Sequence, residues 1–171
     1  MSRGLTILLP TYNEVDALPK VVKTLPLDAL RASGWEPRIV VADGRSTDGT
    51  QQTAADLNLE LIVQGPAAGK GFGMREGFAR FLAHHDDVLV MLDADGTYAP
   101  NEMIRLLEHL ERGSYDVVIG SRLRGDIQPG AMSRLNWIGN HILTWFAVAL
   151  YQVFISDVCT CLLYTSDAAD E

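Results

Sequence analysis

The sequence predicts an α/β protein, a mostly parallel β-sheet with helices on both faces. Three observations lead there. Short apolar runs alternate with helical stretches over the first 120 residues, the spacing of strand–helix units. The runs are predominantly apolar, as expected of strands covered on both faces. Polar clusters at 10–14, 43–49 and 93–97 close three of the runs, at the sheet edge where such folds bind ligands.

Each element follows from a local signal. Residues 5–9 (LTILL) form the first strand, and a helix follows over about 17–25. Pro19 falls in its first turn, where the missing N–H costs nothing. Residues 38–42 make the second strand, 43–49 a polar loop, and a helix runs to about 58. Residues 59–63 are the third strand, and 69–84 a glycine-rich turn running into a helix. The fourth strand spans 87–92, a helix 100–112 and the fifth strand 116–120.

Residues 135–155 contain no charged side chain and carry Trp137, Trp145, Phe146 and Phe154 among many aliphatics. Asn136, Asn140, His141 and Gln152 interrupt the run, so a helix lying in a membrane interface is expected before a buried helix or a true span. The chain thus divides into a catalytic domain over 1–134 and an interfacial helix with the start of an acceptor region over 135–160. Residues 161–171 read as a tail foreign to the native protein, which is expected to continue further and to lie on the cytoplasmic side of a membrane. Cys159 and Cys161 stand too close for an ordinary disulfide and are expected as thiols.

The net charge of −8 disfavours a nucleic-acid partner. Between 117 and 156, however, Arg122, Arg124 and Arg134 face one acid, Asp126. A small anionic group suits such a patch.

The chemistry concentrates at the strand ends. Asp93 and Asp95 close the fourth strand one residue apart, and such carboxylates suit a hard divalent cation, Mg2+ or Mn2+. Alone, that pair is equally an acidic helix cap. Pro10, Thr11, Tyr12, Asn13 and Glu14 close the first strand, and Asp43 to Thr50 (DGRSTDGT) close the second. Asp48 and Thr50 read as the cap and start of the next helix. Lys70, between Gly69 and Gly71, is placed equally well to meet a phosphate or solvent.

This set, in this order, resembles the family-2 glycosyltransferases. Gly120-Ser121-Arg122, Pro129-Gly130-Ala131-Met132 and 156–160 (SDVCT) narrow the resemblance to their polyprenyl-phosphate hexosyltransferases, the dolichol-phosphate mannose and glucose synthase group. The resemblance implies a nucleotide-sugar-binding fold of the GT-A type. It implies that Pro10, Tyr12, Glu14 and Asp43 hold the nucleoside of a UDP- or GDP-hexose and that Asp93 and Asp95 hold the metal. Arg122, with Arg134, would take the phosphate of a polyprenyl acceptor. Thr97 stands where some mannose synthases place a metal-binding glutamine, and Arg134 sits two positions from the usual arginine.

The expected reaction is a single displacement with inversion, in which an already anionic phosphate attacks and needs no base. A family-2 transferase with a hydroxyl acceptor is the nearest alternative. A haloacid-dehalogenase-type phosphatase, suggested by Asp93-Ala94-Asp95-Gly96-Thr97, is a distant one.

Overall fold

The computed structural model describes residues 2–66, 69–96, 100–113, 115–121, 123, 133–152 and 154–160, and the backbone of 163–166. Its elements are, in chain order, β1 (Arg3–Thr11), α1 (Leu18–Thr24), α2 (Leu27–Ala32), β2 (Trp35–Asp43), α3 (Thr50–Asp56) and β3 (Glu60–Val63). Then come α4 (Lys70–His84), β4 (Val88–Met91), α5 (Glu102–Gly113), β5 (Val117–Ile119), α6 (Arg134–Tyr151) and β6 (Leu163–Ser166). The sheet order is β3-β2-β1-β4-β6-β5. Strands β1 to β4 pair in parallel, and β6 lies antiparallel between β4 and β5.

β1 is buried from Leu5 to Leu9, so its two side-chain sets feed two cores. Leu5, Ile7 and Leu9 join Val41, Val90 and Leu92 against α1, α2, α3 and α5. Leu8 joins Val40, Ala42, Leu89 and Met91 against Phe81 of α4. Helices therefore cover both faces, as the predominantly apolar runs require. On α5, Met103, Leu107 and Leu110 are the buried stripe of an amphipathic helix.

Several elements depart from the sequence reading. The helix expected at 17–25 ends at Thr24, and α2 follows with Pro26 at its N-cap. A proline there cannot continue the first helix. β2 begins at Trp35 rather than 38 and contains Pro37. It tolerates the proline because β3 pairs only from Val40 onward, leaving one side of β2 unpaired at that point. Thr6, in register with Arg38, breaks the apolar pattern. Arg38 donates to Thr6 Oγ1 (2.8 Å), Asp86 (2.6 Å) and Glu60 (2.7 Å), and Arg80 also binds Glu60. Burial raises the Glu60 pKa, but hydrogen bonds from Arg80 and Arg38 outweigh it and hold the carboxyl low.

Within the stretch read as a foreign tail, the backbone of 163–166 lies as β6 between β4 and β5. Ladder hydrogen bonds are made by backbone, so a segment without periodicity can still supply them.

α4 packs closely on the sheet at Gly77, where a Cβ would come within 2.5 Å of the buried Leu8 side chain. At Gly71, in the helix's first turn, a Cβ meets nothing within 4 Å. Gly77→Ala should therefore destabilise by about 1–3 kcal/mol through overpacking, less the helix-propensity gain of up to about 1 kcal/mol. Gly71→Ala should be neutral or stabilising. Thermal melts of the two variants check this, and equal midpoints would show that α4 does not pack so closely there.

Candidate active site

The loops at the carboxyl ends of β1 to β4 enclose a cavity of about 490 Å3. It lies across the point where strand order reverses about β1, the usual ligand crevice of open α/β sheets.

The first two loops are laced together. Asn13 N–H donates to Ser46 Oγ (2.8 Å), and Thr47 N–H donates back to Asn13 Oδ1 (2.9 Å). Glu14 N–H donates to Thr50 Oγ1 (2.8 Å) and Val15 N–H to Asp48 (3.0 Å). Asn13 and Arg45 hold left-handed backbone (φ 56° and 67°), which this lacing keeps in place. Asp48 also accepts from Thr50 N–H (3.0 Å) and Thr50 Oγ1 (2.5 Å); Thr50 starts α3 as expected, but the N-cap position falls on Gly49 rather than Asp48. Those Thr50 bonds pull the Asp48 pKa down.

Of the residues predicted for the donor, Pro10, Tyr12, Glu14, Lys70, Asp93 and Asp95 line the cavity together. Tyr12 is 64% exposed at the rim. Lys70, from the start of α4, is ion-paired with Asp93. Three carboxylates thus meet one ammonium. The Glu14 pKa is raised by burial and then by the charges of Asp95, Asp48 and Asp93.

Asp43 is placed differently. It is fully buried and is not among the cavity-lining residues. Its carboxylate accepts from Ser46 N–H (2.9 Å), Ser46 Oγ (2.5 Å), Gln51 Nε2 (2.7 Å) and Thr11 Oγ1 (3.3 Å). It organises the loops from beneath. Arg134 opens α6, exposed and outside the cavity lining. Arg122, Thr97 and Pro129-Gly130-Ala131-Met132 lie outside the described residues.

The 156–160 turn is tied back to the domain. Val158 N–H donates to Thr144 Oγ1 of α6 (3.2 Å), Cys159 N–H to the buried Asp157 (3.0 Å), and Thr160 Oγ1 to Gly120 O at the end of β5 (2.6 Å).

Sequence reasoning missed Gln64, which lines the cavity just past β3. Its only signal was position, a polar residue closing an apolar strand on the ligand edge. Among the described residues no cluster of three or more His, Cys, Asp or Glu could hold a metal unaided. Two carboxylates with a bound diphosphate remain sufficient for Mg2+ or Mn2+, which keep substrate and water ligands.

Glycosyltransferase AglJ of Haloferax volcanii is 39% identical over 137 residues, covering 80% of this chain and 42% of the relative. The undecaprenyl-phosphate mannosyltransferase of Micrococcus luteus is 36% identical over 154 residues, covering 87% of this chain and 58% of the relative. The chain therefore spans about half the length of these relatives. Among solved structures, glucosyl-3-phosphoglycerate synthase from Mycobacterium tuberculosis, crystallised with Mn2+ and uridine-diphosphate-glucose, superposes with a TM-score of 0.61. At 20% identity, over 96% of this chain and 56% of that one, the likeness shows the shared GT-A type fold. The pattern of glycosyl transferase family 2 runs from residue 6 to 168, β1 through β6, and the chain belongs to that family.

Proposed function

We propose that this chain carries the donor-binding and catalytic part of an inverting transferase that moves a hexose from UDP or GDP to a polyprenyl phosphate. The observation that supports this best is the charge of the cavity. Among the described residues that line it, Glu14, Asp93 and Asp95 face one cation, Lys70, so an anionic diphosphate would be repelled there without a further cation. Asp93 and Asp95 suit Mg2+ or Mn2+, and the Lys70 ammonium on Asp93 marks where positive charge is accepted. When bound, the ion supplies charge compensation for the departing diphosphate. The relative from Mycobacterium tuberculosis, crystallised with Mn2+ and a nucleotide sugar on the same fold, supports that reading.

In the proposed reaction an acceptor phosphate oxygen bonds to the anomeric carbon as its bond to the nucleoside diphosphate breaks, inverting the centre. The acceptor is already anionic, so the chain need supply only placement. Arg122, three residues past β5, is proposed for that role with Arg134, since guanidinium forks onto phosphate oxygens. The name of the Micrococcus relative supports the lipid phosphate over a hydroxyl acceptor. Membership of the family sets aside the phosphatase reading.

α6 is proposed to rest on a membrane surface. Its only buried residue is Thr144, while Leu135, Trp137, Ile142, Trp145, Phe146 and Leu150 are exposed. No described helix is long and apolar enough to cross a membrane.

Three measurements test these proposals. Nucleotide sugar at 100 times its dissociation constant should stabilise the protein by about 2.7 kcal/mol when Mn2+ is present. Asp95→Asn should remove that metal-dependent stabilisation and leave the unliganded melt unchanged, whereas full metal dependence in the variant refutes the metal site. In transfer assays, a short polyprenyl phosphate should accept hexose while the matching alcohol and free sugars do not. Preference for a hydroxyl would transfer the assignment to the other acceptor class. The protein should sediment with phospholipid vesicles, and Trp145→Ser with Phe146→Ser should release it, each buried aromatic contributing about 1.5–3 kcal/mol. A wild-type chain that stays in the supernatant overturns the surface role of α6.

A further inference from the structure

Gln64 is the polar cavity residue that the proposed chemistry leaves without a task. It is 6% exposed and lines the cavity at the end of β3. Its backbone N–H donates to Asp43 O (2.9 Å), which fixes it to the hub of the two laced loops. Its side-chain oxygen Oε1 is buried with no hydrogen-bond partner among the described residues. The amide lies against the bare backbone of Gly73 on α4, where a Cβ would come within 2.2 Å of Nε2. The fold thus holds an amide in a slot with its acceptor unpaired. A buried acceptor left unpaired is costly and rare in a finished structure.

Position says what would pair with it. Along the order β3-β2-β1-β4, Gln64 follows β3 and the Asp93–Asp95 pair follows β4. Three strand spacings separate them, about 14 Å. A nucleoside diphosphate whose phosphates sit at Asp93 and Asp95 extends its other end, the base, toward β3.

We infer that Gln64 reads the nucleobase of the donor, its Oε1 accepting an N–H from the base edge. This rests on the donor reading above. Uracil and guanine both present a ring N–H, so the two donor classes share the required chemistry.

The test separates the two ends of the cavity. Binding of UDP, GDP and inorganic pyrophosphate is measured by calorimetry with Mn2+ present, for the wild type, Gln64→Met and Gln64→Glu. Pyrophosphate fills only the phosphate end. Gln64→Met, an unbranched apolar replacement, should weaken UDP or GDP by about five- to tenfold, the net worth of one hydrogen bond, and leave pyrophosphate unchanged. Gln64→Glu keeps an oxygen acceptor in the slot and should recover most of that loss. Equal weakening of pyrophosphate and nucleotide in Gln64→Met would mean a structural role and overturns the inference, as does unchanged nucleotide binding. A wild-type chain that binds neither nucleotide nor pyrophosphate refutes the donor reading itself. One that binds pyrophosphate but gains nothing from the base refutes the role of Gln64 alone.

Discussion

The cavity depends on one buried carboxylate. Asp43, at the end of β2, takes donors from the end of β1, its own loop and α3, and its carbonyl takes the N–H of Gln64 beyond β3. Parallel strands end with their backbone groups aimed at one edge, and the connections there have no ladder to hold them. A buried ion surrounded by four donors supplies the missing restraint, because each bond to a charged acceptor is stronger than a neutral one. Removing it would leave four donors unpaired, that of Thr11 buried and the others part-buried. The loops of β1, β2 and β3 are thereby one body, and the cavity between them is preformed.

A second constraint opposes the first. Preorganisation brings Glu14 within electrostatic reach of Asp93, Asp95 and Asp48, and its pKa rises through burial and then through that crowding. The Lys70–Asp93 pair relieves part of it. Lacing the loops therefore stores an excess of negative charge at the sheet edge, which a cation brought with a diphosphate would discharge. The same geometry that assembles the site would favour a ligand that arrives with positive charge.

Much of this was legible in the sequence, for a physical reason. Strands buried on both faces must be largely apolar, so LTILL and VLVML marked β1 and β4, and the polar runs after them marked the ligand edge. Glu14, Lys70, Asp93 and Asp95 met in one cavity because parallel strands deliver their ends to the same side. Less legible were matters of partnership. Asp43 was expected on the ligand, yet its donors come from its own fold, and residue type cannot distinguish the two. Gln64 belonged to no motif. The Arg38–Thr6–Asp86–Glu60 network depends on register across strands, and β6 on backbone pairing indifferent to side chains.

Among the described residues, α6 is tied to the following turn by a hydrogen bond. Thr144, its one buried residue, accepts the Val158 N–H, and the following turn reaches Gly120 at the end of β5 through Thr160. An apolar helix packed for its own sake would bury Leu135, Ile142 or Trp145, and these are exposed instead. Hydrogen bonds fix direction where apolar packing would fix burial. The arrangement aims an uncovered apolar face outward from the end of β5, the strand whose carboxyl end lies on the ligand edge. On the proposed reading, a head group presented there and a hydrocarbon tail laid along α6 would meet both demands at once.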